Sequence, residues 1–362
     1  PRPQHDNGRG VHWIPYTWGQ ATDAHKRLAD ELVEHARAMN IRWALILNSA
    51  EEEWRANEYL VRRLVGPDPT RPEIMPIIRL GERFDPETLA KKARGERVGL
   101  DPDRVREIVR FYRALGALYF QLYNEPNHID EWPERIVPVE AVEICVEVWR
   151  KAALATLDAG GLPGLPPLAP GGSWPGGDDL HMLAAMLDRL DARLTVTERS
   201  QLYDKMWVGI HNYFLGRDIE SLPADSHCFQ KFVWYEGIIA EKIGHPLPIL
   251  GGEGGLRMGL PPYGDNASEA QVAESTKEAC RYMARAPEYY FCSCFWLLGS
   301  AIGGGGEEWE SAAWFRKDGS RQEVVAALKR LGEFRREPHP LEVRFFYRNG
   351  YKISDCHLVK GA

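Results

Sequence analysis

Residues 117–127 read Ala117-Leu118-Tyr119-Phe120-Gln121-Leu122-Tyr123-Asn124-Glu125-Pro126-Asn127, and the fold follows from this stretch. The aromatic and aliphatic run Leu118 to Tyr123 has the composition of a buried strand. Pro126 has no N–H to give to a sheet ladder, so the strand must stop there. Glu125 is thereby expected at a strand tip, facing out of a mostly apolar environment. A carboxyl so placed tends to have a raised pKa, as a general acid needs. The competing reading is an ordinary strand-to-loop turn, since Asn, Glu and Pro all suit turns.

On either side of this stretch, strand-like runs alternate with amphipathic helical runs. Gly10–Ile14, Ile41–Asn48 and Ile74–Leu80 read as the first three strands, and Ala117–Glu125 as the fourth. Leu168–Ser173 reads as a weak fifth, followed by Met206–Phe214, Pro248–Glu253 and Tyr290–Gly299. Helices are expected over Ala21–Asn40, where Leu28, Leu32, Val33, Ala36 and Met39 share a face, and over Glu51–Val65. Further helices are expected over Val139–Ala159, Asp178–Leu190 and Ala224–Ile243. Asp101-Pro102 marks a start by N-cap and first-turn proline, and Ser268-x-x-Gln271 and Ser320-x-x-Glu323 are capping boxes, the last opening a helix to about Arg335. Strand followed by helix, repeated eight times, argues for parallel strands with right-handed crossovers, which close as an α/β (β/α)8 TIM barrel. An open doubly wound sheet would carry a phosphate loop such as G-x-G-x-x-G after an early strand, and none is present. The run Gly303–Gly306 reads as a late flexible loop. The barrel is assigned to residues 1–338. Residues 339–362 form a C-terminal extension, with Asn349-Gly350 expected as a hairpin turn.

At 362 residues the chain can bury a large core without disulfides or metals. Its net charge is −7 and both signs are mixed along the chain, so no stretch resembles a nucleic-acid patch. No apolar run approaches the ~18 residues of a membrane span. The six cysteines form neither C-x-x-C pairs nor a dense disulfide framework. Cys292 and Cys294 share a strand face and are expected as small barrel-core residues. The chain starts at Pro1 rather than methionine, which leaves open the removal of an upstream signal or domain; localisation is unknown, and only a removed signal would favour action outside the cell or at its surface.

Catalytic groups of such barrels lie at the C-terminal strand ends. Taken in order, these ends offer His12, Asn48, Arg79, Asn124 with Glu125, Ser173 with Trp174, His211 with Tyr213, Glu253 and Trp296. Glu253 lies within Gly251-Gly252-Glu253-Gly254-Gly255, where glycines let a ligand approach the backbone. Glu125 and Glu253 end strands expected to face each other, and two facing carboxylates are the equipment for glycoside hydrolysis. His211 could instead be a satisfied core histidine, and Arg79 could pair with a structural carboxylate.

Asn124-Glu125-Pro126 at the end of strand four, with Glu253 at the end of strand seven, resembles the clan A retaining glycoside hydrolases, and families five and thirty-nine among them, over about residues 10–335. The resemblance implies Glu125 as acid/base and Glu253 as nucleophile, with configuration retained. It also implies contact of Asn124 with the sugar 2-hydroxyl, His211-x-Tyr213 beside the nucleophile, and Trp296 under the central sugar. Arg79 departs from the pattern, since many members carry the corresponding arginine on strand two, where this chain has Asn48. No cofactor is implied, and the partner is a β-linked oligo- or polysaccharide. Two rival readings are a metal-dependent barrel using His12, His211, Glu125 and Glu253 as ligands, and a carbohydrate-binding barrel without catalysis. The first lacks an H-x-H on strand one, and the second does not need both carboxylates.

Of the twelve tryptophans, eight fall at or beyond expected C-terminal strand ends: Trp13, Trp18, Trp54, Trp132, Trp174, Trp296, Trp309 and Trp314. Sugar rings stack their C–H faces on flat aromatic surfaces. Eight platforms spread over several loops imply a groove with multiple subsites and endo-acting cleavage, with Trp132 and Trp309 among the remote contacts. An exo-acting β-glycosidase is the alternative on the same barrel.

Overall fold

The computed structural model describes residues 1–14, 22–51, 53–81, 83–222, 227–261, 264–300, 309–334, 336, 345–348 and 351–354. Trp18, Gly303–Gly306, Arg335 and the turn Asn349-Gly350 lie outside the described residues.

Eight parallel strands close into a barrel in sequence order. They are β1 (Arg9–His12), β2 (Trp43–Asn48), β3 (Met75–Leu80), β4 (Tyr119–Leu122), β5 (Leu162–Leu165), β6 (Trp207–Tyr213), β7 (Ile249–Gly255) and β8 (Tyr290–Phe295). The surrounding helices are α1 (Asp23–Ala38), α2 (Glu58–Val65), α3 (Thr88–Ala93), α4 (Pro102–Ala114) and α5 (Ala141–Asp158). They continue with α6 (Asp179–Arg193), α7 (Val196–Tyr203), α8 (Phe232–Ile243), α9 (Glu269–Met283) and α10 (Glu323–Leu331). The Asp101 cap of α4 and the Ser268–Gln271 box of α9 form as their sequences require. In the C-terminal segment, β9 (Phe345–Arg348) and β10 (Tyr351–Ser354) pair antiparallel, with Arg348 opposite Tyr351. Among the described residues no helix is long and apolar enough to cross a membrane.

Three expectations are corrected. Strand five is Leu162–Leu165, not Leu168–Ser173. Its sequence, Leu-Pro-Gly-Leu, has turn composition, and it is recruited as a strand by its neighbours: Tyr119 pairs with Leu162 and Gly164 with Trp207. Two indoles complete the bonding, Trp207 donating to the Leu162 carbonyl and Trp149 to that of Gly164, at 2.9 and 2.8 Å. The segment first read as a strand is a loop held by the Asn127 amide, which bonds both the N–H and the carbonyl of Ala169. Second, α2 begins at Glu58, because residues 53–57 form turns. Third, α10 starts after Gln322 rather than Ser320 and ends at Leu331, capped by Gly332.

Strand alternation sorts the side chains into two sets. Ala44, Ile46, Ile78, Phe120, Val208 and Ile210 face the helices, in the main core. Trp43, Leu45, Met75, Ile77, Tyr119, Trp207, Leu250, Cys292 and Cys294 fill the barrel, and both cysteines are free and buried. The same inward rows continue toward the C-terminal ends as polar residues: Arg79 follows Ile77, Gln121 follows Tyr119, and His211 stands four residues past Trp207. An apolar floor under a polar mouth is what positions the site.

Gly164 shows how tightly the floor is packed. A Cβ there would lie 2.3 Å from the Trp207 ring, and that ring is tethered through its own hydrogen bond. Gly164→Ala should therefore lower stability by about 1–3 kcal/mol, read as a drop in the urea midpoint at unchanged slope.

Candidate active site

The strand-four tip leaves the ladder after Leu122. Tyr123 and Glu125 both adopt left-handed backbone, φ 65° and 25°, which non-glycine residues rarely take. Such conformations cost on the order of 1–3 kcal/mol each. The packing beneath is of matching size. Tyr123 stacks on Phe84 and Phe84 on Trp132, each at 5.2 Å between ring centres. Stacked pairs contribute about 0.5–1.5 kcal/mol beyond their burial. The Tyr123 hydroxyl accepts from Leu100 N–H at 2.8 Å, and the Trp132 indole donates to the Pro126 carbonyl at 3.0 Å. A rigid aromatic pile thus holds Asn124 and Glu125 at the barrel mouth.

Glu253 reaches the same mouth through a bulge. Ile210 pairs with Gly251 but His211 pairs with Glu253, so Gly252 is an extra residue in β7. A Cβ on Gly252 would stand 3.0 Å from Gln121 Oε1 and 3.1 Å from a Leu45 methyl, so only glycine fits there without displacing the interior. The bulge turns Glu253 inward, 8% exposed. Arg79 donates to its Oε1 at 2.6 Å and the Tyr213 hydroxyl to its Oε2 at 3.0 Å. His12 Nε2 and His211 Nε2 each lie 3.8 Å from Oε1. The other ring nitrogen of His211, Nδ1, is 2.6 Å from Glu125 Oε1. One imidazole therefore lies between the two carboxyls.

The electrostatics follow from this packing. Burial alone would push the Glu253 carboxyl up, but His211, Arg79 and His12 beside it and the Tyr213 hydroxyl outweigh it and hold it down at about 2. Burial pulls His12 down to about 3, so its ring is neutral at ordinary pH and Arg79 is the fixed positive charge. Burial, then the charge of Glu253, pushes the Tyr213 phenol well above its usual range and keeps it a neutral donor. The Arg257 guanidinium covers the Tyr213 ring at 4.6 Å and pairs with Asp265 at 2.8 Å.

Not every residue singled out from the sequence joins this cluster. Asn48 turns away: its Oδ1 accepts from Asn57 and Tyr112 at 2.9 Å each and its Nδ2 donates to the Ser49 carbonyl. Trp132 is 1% exposed within the aromatic pile, so it is packing under the site rather than a sugar platform. Trp13, Trp54 and Trp314 are likewise buried. Trp296 lies against His12 at 4.4 Å and against Trp309 at 4.8 Å. Trp309 and Trp174 keep partly open surfaces, and the Trp174 indole donates to the Val139 carbonyl. Asn124 donates to Glu131 at 2.6 Å. Three residues at the mouth escaped the sequence reading: Gln121, Glu131 and Arg257. Gln121 was accessible by strand alternation from Tyr119, whereas no local pattern marks the other two. Among the described residues no group of three His, Cys, Asp or Glu side chains is arranged to hold a metal ion.

The Arg79 pairing has a testable sign. Glu253 titrates below an ordinary carboxylate, so the stability it contributes is present above that ordinary range and is lost as pH falls through about 2. Arg79→Met removes a positive charge that favours the ionised form. Its titration midpoint should rise by about 1–3 pH units, followed by carbon-13 NMR of the Glu253 carboxyl, and acid unfolding should begin at higher pH. An unmoved midpoint would show that Arg79 does not hold the charge.

No protein-family model and no curated protein sequence matches this chain. Solved structures do match. A GH128 (subgroup II) endo-β-1,3-glucanase from Pseudomonas viridiflava superposes with a TM-score of 0.56 at 13% identity, covering 91% of this chain and 99% of that one. A family 39 glycoside hydrolase from the gut symbiont Bacteroides cellulosilyticus gives 0.58 at 12% identity, over 97% of this chain and 71% of the other. β-Glucosidase 2 from the fungus Trichoderma reesei gives 0.52 at 13% identity, over 91% and 98%. At these identities the likeness is one of architecture: this chain is built on the closed (β/α)8 barrel that these glycoside hydrolases share.

Proposed function

We propose that the protein is a retaining glycoside hydrolase acting on β-linked oligo- or polysaccharides, with Glu253 as nucleophile and Glu125 as acid/base. The observation that carries this reading is the pair of glutamates at one barrel mouth with the single His211 imidazole between them. Retaining glycosidases need their two carboxyls only about 5–5.5 Å apart. In the first step Glu125 protonates the glycosidic oxygen while Glu253 attacks the anomeric carbon, forming a glycosyl-enzyme ester. In the second, Glu125 takes a proton from water, water displaces Glu253, and configuration is retained. Arg79 and Tyr213 each hold one oxygen of Glu253, which keeps the attacking carboxylate ionised and fixes its plane.

The lining supports a ligand rich in hydroxyls. His12 Nδ1 and Nε2, Gln121 Oε1, His211 Nε2 and Trp296 Nε1 are buried polar atoms without a hydrogen-bond partner among the described residues. Unpaired buried polar groups are costly, and sugar hydroxyls would satisfy them. Trp296 gives an aromatic face beside them. In this reading residues 1–338 are the catalytic barrel and residues 339–362 an extension of it.

The roles separate by chemical rescue. With an activated aryl β-glycoside, Glu253→Gly should lose turnover, and azide should restore it with inverted product, because a small anion fits the space left by the nucleophile. Glu125→Ala with azide should give product of retained configuration, since the ester on Glu253 still forms. Swapped stereochemistry would exchange the two assignments.

The mode of attack is proposed as endo, with Trp174 and Trp309, partly open on the loops after β5 and β8, as platforms. The burial of Trp13, Trp54, Trp132 and Trp314 favours a second reading, an exo-acting β-glycosidase with fewer subsites. For endo attack kcat/KM should climb with oligosaccharide length, because remote binding energy is used at the reacting bond. Trp309→Ala should then harm long substrates more than short ones. Release of single sugars at a length-independent rate would leave the exo reading.

A further inference from the structure

A third carboxyl, Glu131, is bound to Asn124, the neighbour of Glu125, and neither of the proposed catalytic roles uses it. It ends the short 3-10 turn Ile129–Glu131, in which Asp130 N–H donates to His128 Nδ1 at 3.3 Å. Three anchors fix its backbone. Phe84 N–H donates to the Glu131 carbonyl at 2.9 Å, the next residue, Trp132, is stacked on Phe84, and the Trp132 indole is tied to Pro126. The carboxyl accepts one Nδ2 hydrogen of Asn124 at 2.6 Å. Gln121 Nε2 faces Asn124 Oδ1 from the other side at 3.5 Å. The Asn124 amide is thus held in one orientation, with one N–H engaged and one left over. Burial pushes the Glu131 carboxyl up, and the charges of Glu125 and Glu253 push the same way, opposed by Arg79 and the Asn124 bond. That coupling places it in the electrostatic neighbourhood of both glutamates.

We propose that Glu131 is a positioning residue: it holds one N–H of Asn124 so that the other is aimed at the sugar 2-hydroxyl, the contact already implied for Asn124 by the resemblance. The proposal rests on the glycosidase reading above. If Glu253 attacks the anomeric carbon, the nearest sugar hydroxyl is the one on the adjacent carbon. Hydrogen bonds to that 2-hydroxyl strengthen in the transition state of glycoside cleavage. An amide free to rotate would present oxygen or nitrogen to it indifferently. The Glu131 bond removes that choice before substrate arrives, which is how a fixed donor contributes to rate rather than to binding alone.

The test uses full-length Glu131→Met, which lacks an acceptor, and Glu131→Gln, which keeps one. Substrates are 2,4-dinitrophenyl β-D-glucopyranoside and its 2-deoxy counterpart. The Asn124 side-chain NH2 signal, identified by its loss in Asn124→Ala, is followed by nitrogen-15 NMR as a readout independent of activity. In Glu131→Met the Asn124 signal should move. On the 2-hydroxy substrate kcat and kcat/KM should fall together by about ten- to a hundredfold. On the 2-deoxy substrate the same variant should change little, because both changes remove one interaction. Glu131→Gln should stay within a few-fold of the parent. Equal losses on both substrates, a change in KM alone, or an unmoved Asn124 signal would overturn the positioning role. Abolished turnover in Glu131→Gln would also overturn it and make Glu131 a proton donor. If the Asn124 signal moves but the parent protein cleaves neither these glycosides nor any β-linked oligosaccharide, the amide lock stands, while the glycosidase reading and the 2-hydroxyl role fall.

Discussion

The constraint on which the mouth of this barrel depends is an ionised carboxylate, Glu253, kept almost out of contact with water. A buried charge is tolerated only when it is paired and hydrogen-bonded, and removing one partner of such a pair typically costs about 3–5 kcal/mol. Glu253 meets that demand with groups from several strands: Arg79 from β3, Tyr213 from β6, and the rings of His12 from β1 and His211 from β6. Their convergence requires the registers of the sheet and the β7 bulge together. In an unbulged strand of the same residues, alternation from the inward Leu250 would turn Glu253 off the interior face, and the bulge at Gly252 returns it to its partners. Fold and chemistry therefore constrain each other here.

The second carboxyl is managed by the opposite means. Glu125 is not embedded among cations but mounted on strained backbone, whose left-handed turns at Tyr123 and Glu125 persist because the Tyr123–Phe84–Trp132 pile fixes the residues around them. Phe84 follows β3 and Trp132 follows β4, so the loops after two adjacent strands are joined under the site. One consequence is that an aromatic residue in a strand-end loop can belong to the scaffold of the mouth rather than to its open surface. Trp132 acts from below, by holding the backbone that presents Asn124, Glu125 and Glu131.

The short β5 strand contributes to the geometry as well. It stops at Leu165, before a pair of prolines, while β6 runs on to Tyr213. His211 can therefore reach across the end of β5 to Glu125 while its other nitrogen faces Glu253. A longer fifth strand would put side chains in that path. The turn-like composition that hid this strand from pattern reading is the same property that keeps it short.

The sequence by itself determined the architecture and the two carboxylates. Eight alternations of strand and helix left little room for another topology, and Glu125 and Glu253 stood out because each follows a buried strand and is set off by proline or glycine. His211 and Tyr213 were legible for the same reason, as polar residues two apart in an apolar strand. What only the tertiary structure decided is which way side chains in loops and bulges point. Asn48 ends its strand as Arg79 nearly ends its own, yet Asn48 bonds Asn57 and Tyr112 while Arg79 bonds Glu253. The tryptophans after the strands look alike in sequence, but Trp132 is enclosed by Phe84 and Trp309 lies against Trp296. Strand five was invisible because Pro163 and Gly164 carry no strand signal of their own, and the strand exists only through its neighbours' hydrogen bonds. Period-two and period-3.6 patterns report burial along a regular element, where each residue's direction follows from the last. Beyond the end of an element that relation is lost, and direction is set by contacts distant in the chain, as for Glu131, whose place depends on Phe84 and Asn124 together.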